Sequence, residues 1–167
     1  NLYALEAGGR FRNENAATLT NLTCFITTVA CLTAHFDGTN DPCLAETFLR
    51  SEAGALVYHG CARLGWGEGY PDYYGGPSPA YAMQYLKRLF DGSCGSFGEA
   101  YALGKAQFTG ASTNVGTYRW LQFGINLLGD PAIVPRINTI PDAPILTSAV
   151  NTNQPASGLF VEWRDTS

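Results

Sequence analysis

The chain has 167 residues, enough for one well-packed domain and too few for two full ones. Hydrophobic residues make up 46% and charged residues 14% of it, a balance that excludes a solvated, disordered chain. The net charge of −4 and the scattered Lys and Arg residues argue against nucleic acid as a partner, and no apolar run is long enough to span a bilayer. Because the chain does not begin with Met, we interpret it as an internal fragment of a longer polypeptide.

The first clear element is a predicted strand over residues 24–31, apolar and β-branched throughout and therefore expected to be central in its sheet. It ends on Cys31 and runs into a polar turn. In α/β folds the carboxyl end of a strand is where ligands bind, so the Cys31 thiol is a candidate nucleophile. The alternative is a small buried cysteine that only packs. His35 and His59 are weaker candidates for its base.

A helix follows over residues 42–50. It starts at Asn40-Asp41-Pro42, which offers a side-chain cap and places Pro42 at the first helical position. Residues 55–59 read as a second buried strand. Strand, helix and strand in this order predict a parallel pair, and the fold class is therefore α/β.

The segment from Gly65 to Ser78 is predicted to be a long loop rich in aromatic residues, including Trp66. Loops of this kind are usually functional or lie at interfaces. A helix is predicted over residues 80–90, and another from Ser96 to about Phe108, because Ser96 and Glu99 have capping-box spacing. A short strand over 132–135 is expected after a turn at Asp130, whose side chain should bond the local backbone.

The end of the chain changes character. Residues 138–144 are a proline-rich linker, and residues 145–167 contain two alternating strands. Two strands cannot bury a core alone, so we interpret residues 145–167 as the first strands of an incomplete immunoglobulin-like or fibronectin type III-like domain.

Several acidic residues have simpler roles than catalysis. Glu46 and Glu99 are expected to be solvated or to cap helices. No cofactor is predicted, and no metal site is assigned. Asp37, Asp41 and Asp72 could contribute to a calcium site, although nothing in the chain has EF-hand spacing.

An ordered series of motifs resembles the gingipain family of cysteine peptidases, family C25. The motifs are Val29-Ala30-Cys31, Phe36-Asp37, Pro42-Cys43-Leu44-Ala45-Glu46, Gly54-Ala55-Leu56-Val57, Ala62-Arg63-Leu64-Gly65-Trp66 and Leu127-Leu128-Gly129-Asp130-Pro131. Each motif alone is weak, but their order along residues 1–136 is specific.

The resemblance implies a caspase-like three-layer sandwich with a mostly parallel sheet over residues 1–137. It also implies Cys31 as the nucleophile, Trp66 in the pocket for the residue before the scissile bond, and a catalytic His in a His-Gly turn upstream of residue 1. The chain departs from the family at residues 32–35, where members tend to have small or polar residues with a glycine. His59-Gly60 imitates the His-Gly pair on a different strand, so the catalytic role is not transferred to it.

Two hypotheses follow. In the first, the intact parent is a secreted or cell-surface cysteine endopeptidase that acts on protein or peptide substrates, and this fragment alone is inactive. In the second, the chain is a non-catalytic extracellular structural or adhesive protein that keeps the peptidase fold and assembles through the aromatic loop 66–74. A Cys31 locked in a disulfide would favour the second hypothesis.

Overall fold

A computed structural model of the chain describes residues 2–3, 10–19, 24–39, 41–68 and 75–135, with the side chains of residues 2, 3, 10 and 11 left out. The chain divides into two compact units, residues 1–135 and 136–167. The second unit lies outside the described residues. The predicted linker, the fibronectin type III-like strands and the 1–137 domain boundary therefore stay predictions.

Five strands and six helices make up the described part. The strands are β1 (Leu2–Tyr3), β2 (Arg10–Phe11), β3 (Cys24–Thr27), β4 (Ala55–Cys61) and β5 (Ile125–Gly129). The helices are α1 (Asn13–Ala17), α2 (Leu44–Arg50), α3 (Pro77–Phe90), α4 (Phe97–Ala106), α5 (Thr109–Asn114) and α6 (Gly116–Gly124). None of the described helices is long and apolar enough to cross a membrane.

The main sheet has the strand order β3-β4-β5. β3 and β4 are parallel, with Thr27 opposite His59, which confirms the predicted parallel pair and a mixed α/β fold. β5 runs antiparallel to β4, with Cys61 opposite Ile125. Among the described strands β4 is flanked on both sides and β3 on one, so the central position expected for residues 24–31 stays a prediction. β1 and β2 form a separate antiparallel pair.

Helices cover both faces of β4. Tyr58 belongs to a buried cluster with α1 and α2, where its ring lies 6.0 Å from that of Phe48. Val57 belongs to a second cluster with Tyr85 of α3 and Phe97 of α4. Consecutive strand residues point to opposite faces, so the two clusters lie on opposite sides of the strand. The caspase-like assignment itself stays a prediction.

Two of the predicted helix starts differ from those observed. The second helix begins at Leu44 rather than Pro42, because the backbone N–H of Cys43 donates to Glu46 Oε2 at 2.9 Å and closes a capping box. Asn40, in the predicted capping segment, lies outside the described residues. Helix α3 begins at Pro77, three residues before the predicted start at Ala80. Pro77 suits the first helical turn, since its missing N–H would have no partner there.

The region after α3 is predicted in part. The capping interaction at Ser96 is confirmed, because its Oγ accepts the backbone N–H of Glu99 at 3.2 Å. α4 ends at Ala106, two residues before the predicted end. No strand forms over residues 132–135, because Asp130 Oδ1 accepts the Ala132 N–H at 2.9 Å and holds a turn there. That bond confirms the local role predicted for Asp130.

Candidate active site

The strand that leads to Cys31 ends four residues before it. β3 stops at Thr27, and Cys31 begins a turn over residues 31–34, so the prediction of a strand up to Cys31 is wrong at its end. After β3, two threonine side chains bond the backbone of Ala30. Thr28 Oγ1 accepts the Ala30 N–H at 3.1 Å, and Thr33 Oγ1 donates to the Ala30 carbonyl at 3.1 Å. These local bonds compete with sheet pairing. Cys31 still lies beyond the carboxyl end of the strand.

The backbone reverses sharply just after Cys31. Leu32 has φ 60°, a left-handed conformation that costs a leucine roughly 1–2 kcal/mol. Two hydrogen bonds to the neighbouring strand segment hold it: Leu32 N–H donates to the Arg63 carbonyl at 3.2 Å, and Ala34 N–H donates to the Cys61 carbonyl at 3.0 Å. The reversal leaves the Cys31 side chain exposed.

The thiol of Cys31 has one close polar partner. The backbone N–H of Gly65 donates to Cys31 Sγ at 3.1 Å, and the Gly65 carbonyl lies 3.8 Å from the same sulfur. Both contacts come from the backbone of Gly65, which lies 34 residues away in the sequence. All five cysteines are free thiols, so Cys31 is not held in a disulfide.

Residues 63–66, which we call the strap, carry that N–H. At one end, the Arg63 guanidinium donates to both carboxylate oxygens of Asp37, at 2.6 and 2.8 Å. This pairing lowers the pKa of Asp37 to about 2. At the other end, the Trp66 N–H donates to Ser78 Oγ and the Ser78 N–H donates to the Trp66 carbonyl, both at 2.8 Å. Ser78 is buried, so this end of the strap is held inside the protein.

Gly65 allows the close approach of the strap to the thiol. A Cβ on this residue would lie 2.9 Å from the Val29 carbonyl oxygen, 3.1 Å from Ser78 Oγ and 3.4 Å from Cys61 Sγ. The first two distances are shorter than ordinary contacts, and one neighbour is backbone. A larger residue would therefore displace the N–H that reaches Cys31.

Trp66 follows Gly65 directly and leaves 45% of its surface exposed. The residue predicted to line the substrate pocket is thus adjacent to the N–H that contacts the thiol. Residues 69–74 of the aromatic loop lie outside the described residues, so self-assembly through loop 66–74 stays a prediction.

A cavity of about 1090 Å³ opens beside Cys31. His35 lines the same cavity, and its Nε2 lies 3.5 Å from Asp37 Oδ1. The remaining lining residues are Arg12, Asn13, Glu14, Ala30, Leu32, Asp41, Pro42, Cys43 and Leu44. The structure therefore brings Cys31 and His35 to one cavity.

His59 lies in the core on the other side of β4 from α2. Its ring stacks on Tyr85 at 4.3 Å and meets Tyr101 edge-on at 6.0 Å. Burial, together with nearby Lys105, lowers the pKa of His59 to about 3. Within the described residues its Nδ1 has no hydrogen-bond partner. These contacts are those of a neutral core histidine, and its role as a weak alternative base stays an untested prediction.

The acidic residues considered at the sequence level are tied to other groups. Glu99 Oε2 accepts the Gly95 N–H at 2.7 Å, and Glu46 caps α2, so their capping role is confirmed. Asp41 lies 3.7 Å from Arg50, and Asp72 is not among the described residues. Over residues 10–19, 24–39, 41–68 and 75–135, no three His, Cys, Asp or Glu side chains group closely enough to hold a metal ion.

The residues that position the backbone around the Cys31 thiol were not predicted from the sequence. Thr28 and Thr33 shape the turn, Ser78 anchors the strap, and Gly65 supplies the N–H. The only sequence signal was indirect, since Gly65 lies in a motif that carried the family resemblance. Ser78 was predicted only as the end of the long loop that precedes a helix.

Similarity to known proteins shows the family of the chain. The sequence profile of peptidase family C25 matches residues 4–136, which is most of the chain. The chain belongs to peptidase family C25. This C25 chain is also similar to a solved structure named "Structure of Protease", with 22% identity and a TM-score of 0.47. The match covers 74% of this chain and 31% of that one. A search of curated proteins finds no match.

Proposed function

We propose that the C25 chain carries the nucleophile of a cysteine endopeptidase of the gingipain-like group, and that Cys31 is this nucleophile. The single observation that carries the proposal is the family match over residues 4–136. The geometry supports it, because Cys31 is exposed, borders a cavity of substrate size and accepts a hydrogen bond from Gly65. The proposed substrates are proteins or peptides.

The proposed reaction has two stages. The Cys31 thiolate attacks the scissile carbonyl carbon, and the tetrahedral intermediate collapses to a thioester as the amine leaves with a proton from the general acid. Water then attacks the thioester and restores the thiol. The Leu32 N–H is already donated to the Arg63 carbonyl. The Cys31 N–H has no acceptor among the described residues, and we assign it to the oxyanion.

The general base is proposed to be the histidine that the family resemblance places upstream of Asn1. His35 is the alternative within this chain, because it borders the same cavity as Cys31. His59 is the weaker alternative, because its ring is enclosed by aromatic side chains and is 2% exposed.

The substrate is proposed to lie across Cys31 with the residue before the scissile bond against Trp66. The cavity between Arg12, His35 and Asp41 would then receive the part of the substrate after the bond. The caspase-like fold, the fibronectin type III-like continuation and a secreted or cell-surface location belong to the same proposal.

The non-catalytic alternative has less support. A disulfide at Cys31 would have favoured it, as would the absence of a histidine upstream of Asn1, and the Cys31 thiol is free. The family match likewise favours a peptidase.

Hydrolysis of a casein or peptide substrate by the polypeptide that includes the upstream segment tests the proposal. Cys31→Ala should lower the rate by about a thousandfold or more, since the covalent route is lost. Cys94→Ala, which removes a half-buried free thiol elsewhere, should leave the rate unchanged. His35→Gln should also leave most of the activity if the upstream histidine is the base. Full activity in Cys31→Ala would overturn the proposal.

A further inference from the structure

The peptide unit between Leu64 and Gly65 is contacted at both of its polar ends. Its N–H, from Gly65, donates to Cys31 Sγ at 3.1 Å. Its C=O, from Leu64, accepts the indole Nε1–H of Trp120 at 2.9 Å. Because a trans peptide is planar with its C=O and N–H pointing in opposite directions, the indole and the thiol bracket one rigid unit.

Trp120 is fixed independently of this contact. Its helix α6 is anchored by Leu121, which is fully buried in a cluster with Cys61 and Tyr81. The carbonyl of Gly124 at the end of α6 accepts the Ala62 N–H at 2.7 Å. The Trp120 ring itself is 45% exposed. The indole is therefore a fixed donor on the surface, and its removal leaves the core intact.

Leu64 and Gly65 themselves do little to hold the orientation of the peptide between them. The Leu64 side chain is exposed and packs little, so it contributes little to holding its own carbonyl. Gly65 has no side chain to oppose rotation of this peptide. If the peptide turned over, its carbonyl oxygen would face the thiol in place of the N–H and would disfavour the thiolate.

We propose that Trp120 is a positioning residue that directs the Leu64–Gly65 N–H at the Cys31 sulfur. The bond from Trp120 fixes the plane of the peptide. It also polarises the peptide, since a donor on the C=O strengthens the N–H as a donor. The link to peptide hydrolysis rests on the proposed function of Cys31, whereas the effect on the thiol does not.

The test is the rate at which iodoacetamide alkylates Cys31 in the full chain, followed on the Cys31 peptide by mass spectrometry. Trp120→Phe keeps an aromatic ring and removes the N–H. The rate at pH 7 should fall by about three- to tenfold, the size of a weakened charge-assisted hydrogen bond. The rise of the rate with pH should move to higher pH, which a change in packing alone would not produce.

Phe123→Leu is the matched control, because Phe123 lies one turn further along α6 and is 79% exposed. It should keep the wild-type rate and pH profile. Equal urea midpoints for the two variants would confirm that both fold. If Trp120→Phe folds poorly, replacing Trp120 by 3-benzothienylalanine keeps the ring shape and removes only the N–H, and the same slowing is expected.

Two results would overturn the proposal. One is an unchanged rate and pH profile in folded Trp120→Phe, and the other is an equal loss in Phe123→Leu. The outcome is separable from that of the proposed function. Slower alkylation in Trp120→Phe together with a parent polypeptide that hydrolyses nothing would uphold the positioning role and reject the peptidase.

Discussion

The turn that carries Cys31 and the core that surrounds His59 adjoin the same pair of strands, but they place these two side chains in opposite environments. Cys31 is exposed, and its close partner is a backbone N–H on a strap held by polar contacts. His59 is 2% exposed and lies between aromatic rings. The two regions are linked through the backbone, where the Thr28 N–H donates to the His59 carbonyl at 2.9 Å.

The difference explains why one group suits chemistry and the other stability. An exposed thiol with a donor at its sulfur can meet a substrate and carry negative charge. Burial and Lys105 lower the pKa of His59 to about 3, so its ring is neutral at physiological pH. Under the proposed function, Cys31 at the polar edge of the sheet is the reactive group, and His59 packs in the aromatic core.

The largest expected effect comes from a substitution at Gly65, where the strap lies against the Cys31 thiol. In Gly65→Ala the new Cβ would press on the Val29 carbonyl and on Ser78. We expect the free energy of unfolding to fall by about 1–3 kcal/mol through overpacking. Alkylation of Cys31 should slow as well, because the displaced N–H no longer reaches the sulfur. Urea denaturation and the iodoacetamide rate measure the two effects.

Gly110→Ala is the matched control. A Cβ there meets nothing within 4 Å, and the residue lies inside helix α5, so the change should stabilise the chain by about 0.5–1 kcal/mol. A Gly65→Ala chain as stable and as reactive as the wild type would show that the strap is not packed against the thiol.

A smaller effect is expected in the core, where His59 makes the stability of the chain depend on pH. His59 has a pKa of about 3 in the folded chain against an ordinary value of 6.5, so between these pH values the unfolded chain binds more protons. Stability therefore rises with pH in this window and is lost as the pH falls below about 6.5. From pH 6.5 to 5.5 the loss from His59 should be about 1 kcal/mol.

His59→Phe removes the titration and keeps a ring to stack on Tyr85. Between pH 6.5 and 5.5, the free energy of unfolding from urea denaturation should fall by about 1 kcal/mol less in this variant than in the wild type. An identical slope in His59→Phe and wild type would mean that His59 is not a neutral core residue.

The sequence allowed the prediction of features set by local patterns. The parallel pair followed from two apolar runs around a helix, and the cap at Ser96 followed from its spacing to Glu99. The antiparallel strand β5 was missed because residues 125–129 continue an apolar stretch from helix α6, and periodicity does not separate the two.

The candidate site was predictable only at Cys31 and its neighbours along the chain. The end of β3 was misplaced because threonine side chains, not a turn motif, take the backbone hydrogen bonds after Thr27. The contact between Trp120 and Leu64 spans 56 residues of sequence. No local pattern indicates a contact that forms only when helix α6 packs beside the strap.

The five free thiols provide the most direct test of the claim that the turn and the strap present Cys31 as the reactive group. The full chain would be treated with limiting iodoacetamide at pH 7, and the labelled peptides quantified by mass spectrometry. We expect Cys31 to be labelled first, about tenfold or more ahead of Cys43 and Cys61, whose pKa values burial raises, that of Cys61 to about 11. Labelling of half-buried Cys24 or Cys94 before Cys31 would contradict the account.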